Sequence, residues 1–196
     1  FKAVALDDQD ANLMISPLSA SVALTMLLNG CDAETYNQIH DMLGYDGLST
    51  DEINAAYNSL VQQLLAADPS TQLALANAVW YSNNFSFHDS YLQSMQTNFD
   101  ARIEALDFNA PSAPQTINQW ASDNTNGKIT QVINQIPEDA VMFLMNALYF
   151  KGSWTKKFKI ENTHNSPFTL DDGSVINIPT MHGTIPAKGY YGNDYK

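Results

Sequence analysis

The feature that most constrains this chain is the apolar run at residues 140–150, in which Asn146 is the one polar residue. The run is too short to cross a bilayer and too continuous for a strand with one wet face. It therefore predicts a strand that is covered on both faces, deep inside a sheet. A buried amide without partners costs about 1–3 kcal/mol. Asn146 is thus either a satisfied structural amide or a member of a network that the protein makes and breaks.

The charge of the chain restricts its partners. The net charge is −12, and up to Ala101 the one basic residue is Lys2, against twelve acidic residues. Nucleic acids and anionic membranes attract basic surfaces, so neither is an expected partner. Four lysines cluster at residues 151–159, and we interpret them as a solvated group, with an exosite as the alternative. No signal peptide or transmembrane segment is visible, and a leader is expected to have preceded Phe1.

The remaining segments alternate between helical and strand-like patterns. Helical spacing or helix-capping residues occur at 18–28, 33–43, 49–67, 89–99 and 111–127. Ser49 and Glu52 have the spacing of a capping box at the start of the third of these. Strand-like runs occur at 72–81, which contains a single asparagine, Asn77, and at 102–108. Two short strands are predicted around the turn at 171–173.

The sequence contains no enzyme signature. Asp8 begins a calcium-like loop, but Leu13 stands where that loop requires glycine. Ser153 and Lys156 have S-x-x-K spacing, but they follow a strand and lack the partner motifs. The four histidines are scattered singly, and the single cysteine, Cys31, excludes a multi-cysteine metal site. We therefore predict no catalytic residue, no metal site and no cofactor, and an enzyme is the least favoured class of function.

Four segments occur in a fixed order along the chain: NLMISPLS at 12–19, INQWA through TNGKI at 117–129, MNALYFKGSW at 145–154, and Thr163 with Pro167-Phe168. Together they resemble the serpin family. The runs at 75–81 and 102–108 fit as neighbouring strands. The resemblance covers essentially the whole chain. It implies an α+β fold, with helices packed on a large mixed central β-sheet and smaller sheets beside it.

The resemblance gives particular residues a role. In serpins the large sheet is metastable, and it opens to admit a reactive loop as a new strand after a protease cuts that loop. By this analogy Ser16, Pro17, Ser19 and Asn146 belong to the network where the sheet parts. Lys151, Gly152 and Trp154 lie where the loop begins to insert. Hydroxyl and amide groups suit such a seam because they can exchange hydrogen-bond partners as strands separate.

The same resemblance implies a function for a longer protein. A serpin is roughly twice this length, so residues 1–196 are expected to be the N-terminal half of one domain, without the reactive loop. The leading hypothesis is a secreted suicide-substrate inhibitor of a serine protease, with a cysteine protease as the alternative target. The second hypothesis is a non-inhibitory serpin that acts as a binding, carrier or chaperone protein. An exposed sheet edge also predicts strand-mediated self-association. The helix at 49–67 contains no lysine or arginine, which argues against activation by heparin through it.

Overall fold

The computed structural model describes residues 14–154 and 156–184. The sequence also suggests the end of a helix in residues 1–11 and a glycine- and tyrosine-rich segment at 185–196, and both lie outside the described residues. The chain divides after Lys151 into two compact units. The helices of the first unit are α1 (Pro17–Leu28), α2 (Ala33–Met42), α3 (Thr50–Ala66), α4 (Asp89–Phe99) and α5 (Ala113–Asn124). Its strands are β1 (Gln72–Ser82), β2 (Ala101–Leu106) and β3 (Met142–Lys151).

Local signals define the starts of α1 and α3 as predicted. Ser16 has extended backbone angles and caps α1, and Pro17 occupies the first turn, where its missing N–H leaves no bond unmade. Ser49 and Glu52 form the reciprocal capping box at the start of α3. None of the helices in the described part of the chain has the length and apolarity that a membrane crossing requires.

The sheet of the first unit has three strands in the order β2-β1-β3. Strand β1 runs parallel to β2 and antiparallel to β3, and Asn77 is opposite Ala101 on one side and Asn146 on the other. Strand β1 therefore holds the centre of the sheet. The prediction that the run at 140–150 lies deep inside a sheet is wrong for the described chain, because β3 pairs with β1 alone there.

Both faces of β3 are nevertheless covered, as predicted. Met142 and Leu144 pack with Val22 and Met26 of α1 on one face, together with residues of α4. On the other face, Ala147 belongs to a cluster with Ile117 and Trp120 of α5, and Phe143 and Met145 pack against it. The alternation of side chains along a strand places neighbouring residues on opposite faces. Apolar residues are therefore favoured on both faces along most of β3, although Phe150 near its end is 63% exposed. Among the described residues, the strand pairs along one edge only.

The second unit contains a short 3₁₀ helix (Ile160–Asn162) and an antiparallel hairpin of β4 (Thr163–Thr169) and β5 (Val175–Met181). Gly173 supplies the positive φ of +82° that the turn requires. Asp172 accepts a hydrogen bond of 2.8 Å from the backbone N–H of Ser174. The hairpin predicted around residues 171–173 is confirmed.

Candidate functional site

The side chain of Asn146 contacts the corresponding asparagine of the neighbouring strand. Its Nδ2 donates a hydrogen bond of 2.8 Å to Oδ1 of Asn77, which is its register partner in β1. Asn146 shares a sheet face with Met142 and Leu144, the face that α1 covers. Its Oδ1 atom is buried and accepts no hydrogen bond from any described residue. The amide of Asn146 is therefore half satisfied: its Nδ2 has a partner and its Oδ1 has none among the described residues, so a donor to Oδ1 would stabilise it.

Asn77 connects this pair to two helices. Its Nδ2 donates to the carbonyl oxygen of Phe99 at 2.7 Å and to the hydroxyl of Tyr57 at 3.1 Å. Phe99 is the last residue of α4, and its carbonyl is one of those that a helix end leaves without an intrahelical partner. Asn77 is 4% exposed. Its amide therefore joins β3, the end of α4 and the middle of α3 in one buried network.

The phenol of Tyr57 is held in its neutral form. Burial raises the pKa of Tyr57, and the hydrogen bond from Asn77 offsets part of that effect. The ring of Tyr57 stacks on that of Phe99, with 4.9 Å between the ring centroids. The network thus consists of amides, a carbonyl and a neutral hydroxyl. Such groups can exchange hydrogen-bond partners without moving charge.

The predicted serines form a separate pair at the start of α1. The backbone N–H of Ser19 donates to Oγ of Ser16 at 3.2 Å, and the two hydroxyl oxygens are 3.0 Å apart. Pro17 is exposed on the first turn of the helix. Leu18 and Val22 carry α1 over the sheet face on which Asn146 lies. Within the described residues, no hydrogen bond joins the serine pair to Asn146, so the four predicted residues form two groups.

The predicted loop-insertion residues are divided between the two units. Lys151 is the last residue of β3 and is opposite Gln72 of β1. Gly152 and Trp154 begin the second unit, where the indole of Trp154 is 68% exposed. The Trp154 ring meets that of Phe158 edge to face, with 6.4 Å between centroids. Trp154 is therefore not part of the described core of its unit.

Sequence reasoning named Asn146 but missed Asn77, Tyr57 and the carbonyl of Phe99 as its network. A signal for Asn77 was present, since it is also the single amide of an apolar strand. What joins the two asparagines is the strand register, which brings together residues 69 positions apart. Tyr57 gave no signal of its own because its spacing fits the apolar stripe of α3.

One serine–histidine contact occurs in the second unit, and it lacks the rest of a hydrolytic site. Ser166 Oγ and His182 Nε2 are 3.2 Å apart, and the imidazole of His182 stacks on that of His164 at 4.0 Å between centroids. Both residues of the pair are exposed or nearly so. Within residues 152–154 and 156–184, no carboxylate forms an ion pair with His182. The contact therefore lacks the acid that orients the base in a catalytic triad.

Comparison with known sequences assigns the chain to a family. A sequence model described as "Serpin (serine protease inhibitor)" matches residues 1–195. Neuroserpin from Homo sapiens is 32% identical over 187 residues, which are 94% of this chain and 45% of neuroserpin. The chain belongs to the serpin family, and the sequence-based assignment is confirmed.

Solved structures agree with that assignment. The native stressed conformation of AtSerpin1 from Arabidopsis has a TM-score of 0.81 at 30% identity, over 92% of this chain and 47% of the other. A loop C-sheet serpin polymer has a TM-score of 0.78 at 32% identity, over 87% of this chain and 45% of the other. The helices and mixed sheets of the chain are thus the predicted α+β serpin fold. The chain spans about half the length of the relatives that it matches.

Proposed function

We propose that this chain is part of a serine protease inhibitor that acts as a suicide substrate. In this proposal residues 1–196 form the N-terminal half of a single serpin domain, and a reactive loop outside them inserts beside β3 after cleavage. The protease would remain attached as an acyl-enzyme while the loop inserts. A cysteine protease is the alternative target. The protein is an inhibitor rather than an enzyme in this proposal, and its place of action is extracellular.

One observation carries the proposal: the outer edge of β3 pairs with no described strand, and a buried amide beside that edge is half satisfied. The backbone groups of such an edge accept a further strand readily. Asn146 Oδ1 lies on the same strand, buried and without a donor among the described residues. This seam, which is the outer edge of β3 with the Asn146 amide beside it, gains a strand and a hydrogen-bond donor to Asn146 when it closes. It therefore has two distinct states, as an insertion mechanism requires.

The proposed roles of individual residues follow from this seam. Asn146 would change its hydrogen-bond partner as the sheet opens, while the pair of Ser16 and Ser19, with Pro17, would hold α1 beneath it. Lys151, Gly152 and Trp154 would form the surface where insertion begins. Each of these roles is a proposal that rests on the family and on the positions given above.

Two further proposals concern partners. Helix α3 carries Asp51 and Glu52 in its first turn and no lysine or arginine, so we propose that heparin does not act through it. The net charge of −12 likewise disfavours nucleic acid and anionic membranes as partners. Among the described residues the outer edge of β3 pairs with no strand, and we propose strand-mediated self-association at this edge.

The proposal is tested on the full-length protein with trypsin-like, chymotrypsin-like and elastase-like proteases. Intact mass spectrometry is combined with thermal melts before and after cleavage. We expect a covalent adduct that resists denaturation, together with a large rise in Tm on cleavage. An Asn146→Ala variant should alter the balance between adduct and simple cleavage, whereas the exposed control Gln119→Ala should not. Cleavage by the whole panel without adduct or stabilisation would refute inhibition and favour the carrier or chaperone alternative.

A further inference from the structure

A cluster remote from the sheet seam brings together one imidazole and two carboxylates. His40 and Asp41 lie at the end of α2, and Asp46 lies in the turn that leads towards α3. One ligand atom from each residue lies within 4.8 Å of the others. The sequence by itself predicts no metal site here, because His40 has no ligand spacing to another histidine.

The hydrogen bonding of His40 fixes which ring nitrogen faces the carboxylates. Nε2 is 2.9 Å from the carbonyl oxygen of Leu48, and a carbonyl oxygen can only accept. Nε2 therefore carries a hydrogen, and Nδ1 is the ring nitrogen that is left to bind a ligand. Nδ1 is 3.7 Å from Oδ1 of Asp41. This is the arrangement by which a backbone carbonyl orients a metal-binding imidazole.

The ring is held in place before any ligand arrives. The side chain of His40 is 12% exposed, and it stacks on Tyr36 with 5.4 Å between ring centroids. Tyr45 meets it edge to face at 6.1 Å. The hydroxyl of Tyr45 is in turn 2.7 Å from Oγ1 of Thr25, a buried residue of α1. The turn that carries Asp46 is thus anchored to the core of the first unit.

Three acceptor atoms converge at this point, and no described residue donates a hydrogen bond to any of the three side chains there. A cation bound between the two carboxylates would offset their mutual repulsion. Asp41 and Asp46 are exposed, and the ligand atoms lie at most 4.8 Å apart, so small side-chain rotations would bring them to the roughly 3.3 Å spacing that metal–ligand bonds of about 2.0–2.2 Å require.

We propose that His40, Asp41 and Asp46 bind a divalent transition-metal ion, of which Zn²⁺ is the best fit. An imidazole nitrogen with two carboxylate oxygens favours zinc over Mg²⁺ or Ca²⁺, which take oxygen ligands. Three protein ligands leave a position for water. The ion joins the end of α2 to the turn before α3. Its binding to the folded state therefore raises stability by an amount that grows with the logarithm of the free Zn²⁺ concentration above Kd.

The test is calorimetric titration of the intact, metal-free protein with Zn²⁺. We expect one site, bound more tightly by Zn²⁺ than by Mg²⁺, and a rise in Tm when Zn²⁺ is added. The variants Asp46→Asn and Asp41→Asn change exposed side chains and should weaken binding by about tenfold or more. Asp51→Asn removes a matched exposed carboxylate from α3 and should leave binding unchanged.

A second control separates this site from the stacked histidines of the hairpin. The double variant His164→Ala/His182→Ala should bind Zn²⁺ as the parent does. Loss of binding in that double variant, unchanged binding in Asp46→Asn, or no binding at millimolar Zn²⁺ would each overturn the proposal. The readout does not involve protease inhibition, so its outcome is independent of the proposed function.

Discussion

The amide of Asn77 should contribute more to stability than any other polar side chain of the sheet seam. Asn77→Ala removes three hydrogen bonds, to Asn146, Phe99 and Tyr57. It leaves Nδ2 of Asn146 and the carbonyl of Phe99 without partners in buried surroundings, and each such group costs about 1–3 kcal/mol. We expect the free energy of unfolding to fall by about 3–5 kcal/mol, after allowance for partial relaxation.

Tyr57→Phe is the matched control, because it removes one acceptor from the same network and keeps the ring. We expect it to cost about 0.5–1.5 kcal/mol. Both variants and their combination are measured by urea denaturation of the full-length protein, followed by tryptophan fluorescence. Trp80 is fully buried and adjoins Trp120, so the signal should report unfolding of this unit. The double variant should show a coupling energy close to the cost of Tyr57→Phe alone.

Two results would refute this reasoning. If Asn77→Ala costs less than about 1 kcal/mol, water or rearranged side chains satisfy the exposed groups, and the network is not a stabilising element. If the double variant shows no coupling, the 3.1 Å contact between Asn77 and Tyr57 contributes nothing to stability.

Three further outcomes are expected. Asn118→Ala removes three hydrogen bonds to residues 132 and 133. It should lower stability by about 2–3 kcal/mol and speed the amide exchange of those two residues. The exposed control Gln119→Ala should do neither. Hydrogen bonds from Ser49 lower the pKa of Glu52 from 4.5. The Glu52 carboxylate therefore stabilises the fold fully above pH 4.5, and this stabilisation is lost as the pH falls through the lowered pKa. In acid melts, Glu52→Gln should lose this pH-dependent part of the stability. Burial raises the pKa of Tyr91 from 10.0 to about 12, so stability should fall as the pH rises through that range. Tyr91→Phe should remove this alkaline loss of stability. The same variant should cost little at neutral pH, because the hydroxyl has no described hydrogen-bond partner.

Features coded by neighbouring residues were predictable from sequence. The capping box of α3 needs only Ser49 and Glu52, three positions apart, and the hairpin turn needs only Gly173 and the residues beside it. The apolarity of β3 was also interpretable, since it correctly indicated that most of the strand is covered on both faces. Apolar side chains report what covers the faces of a strand, however, and carry no information about its edges. That is why the apolar run alone does not show that β3 pairs with β1 only among the described residues; the exposed edge was expected from the length of the family instead.

The candidate site was predictable only in part, for a similar reason. Asn146 could be selected because a lone amide in an apolar run must be explained. Its pairing with Asn77 depends on register, and a shift of one residue would turn either side chain to the other face. The proposed metal site of His40, Asp41 and Asp46 also depends on the fold, because Asp46 approaches His40 only after the chain has turned beyond α2.

The order in which the strands are synthesised has a consequence for the nascent chain. Asn146 leaves the ribosome 69 residues after Asn77, which corresponds to about 3–14 s at ordinary elongation rates. During that interval β1 can pair with β2, but its antiparallel partner does not yet exist. An apolar strand in the centre of the future sheet is thus left with an open side while translation continues. We expect chaperone binding to be concentrated in this interval and to decline once β3 has been made.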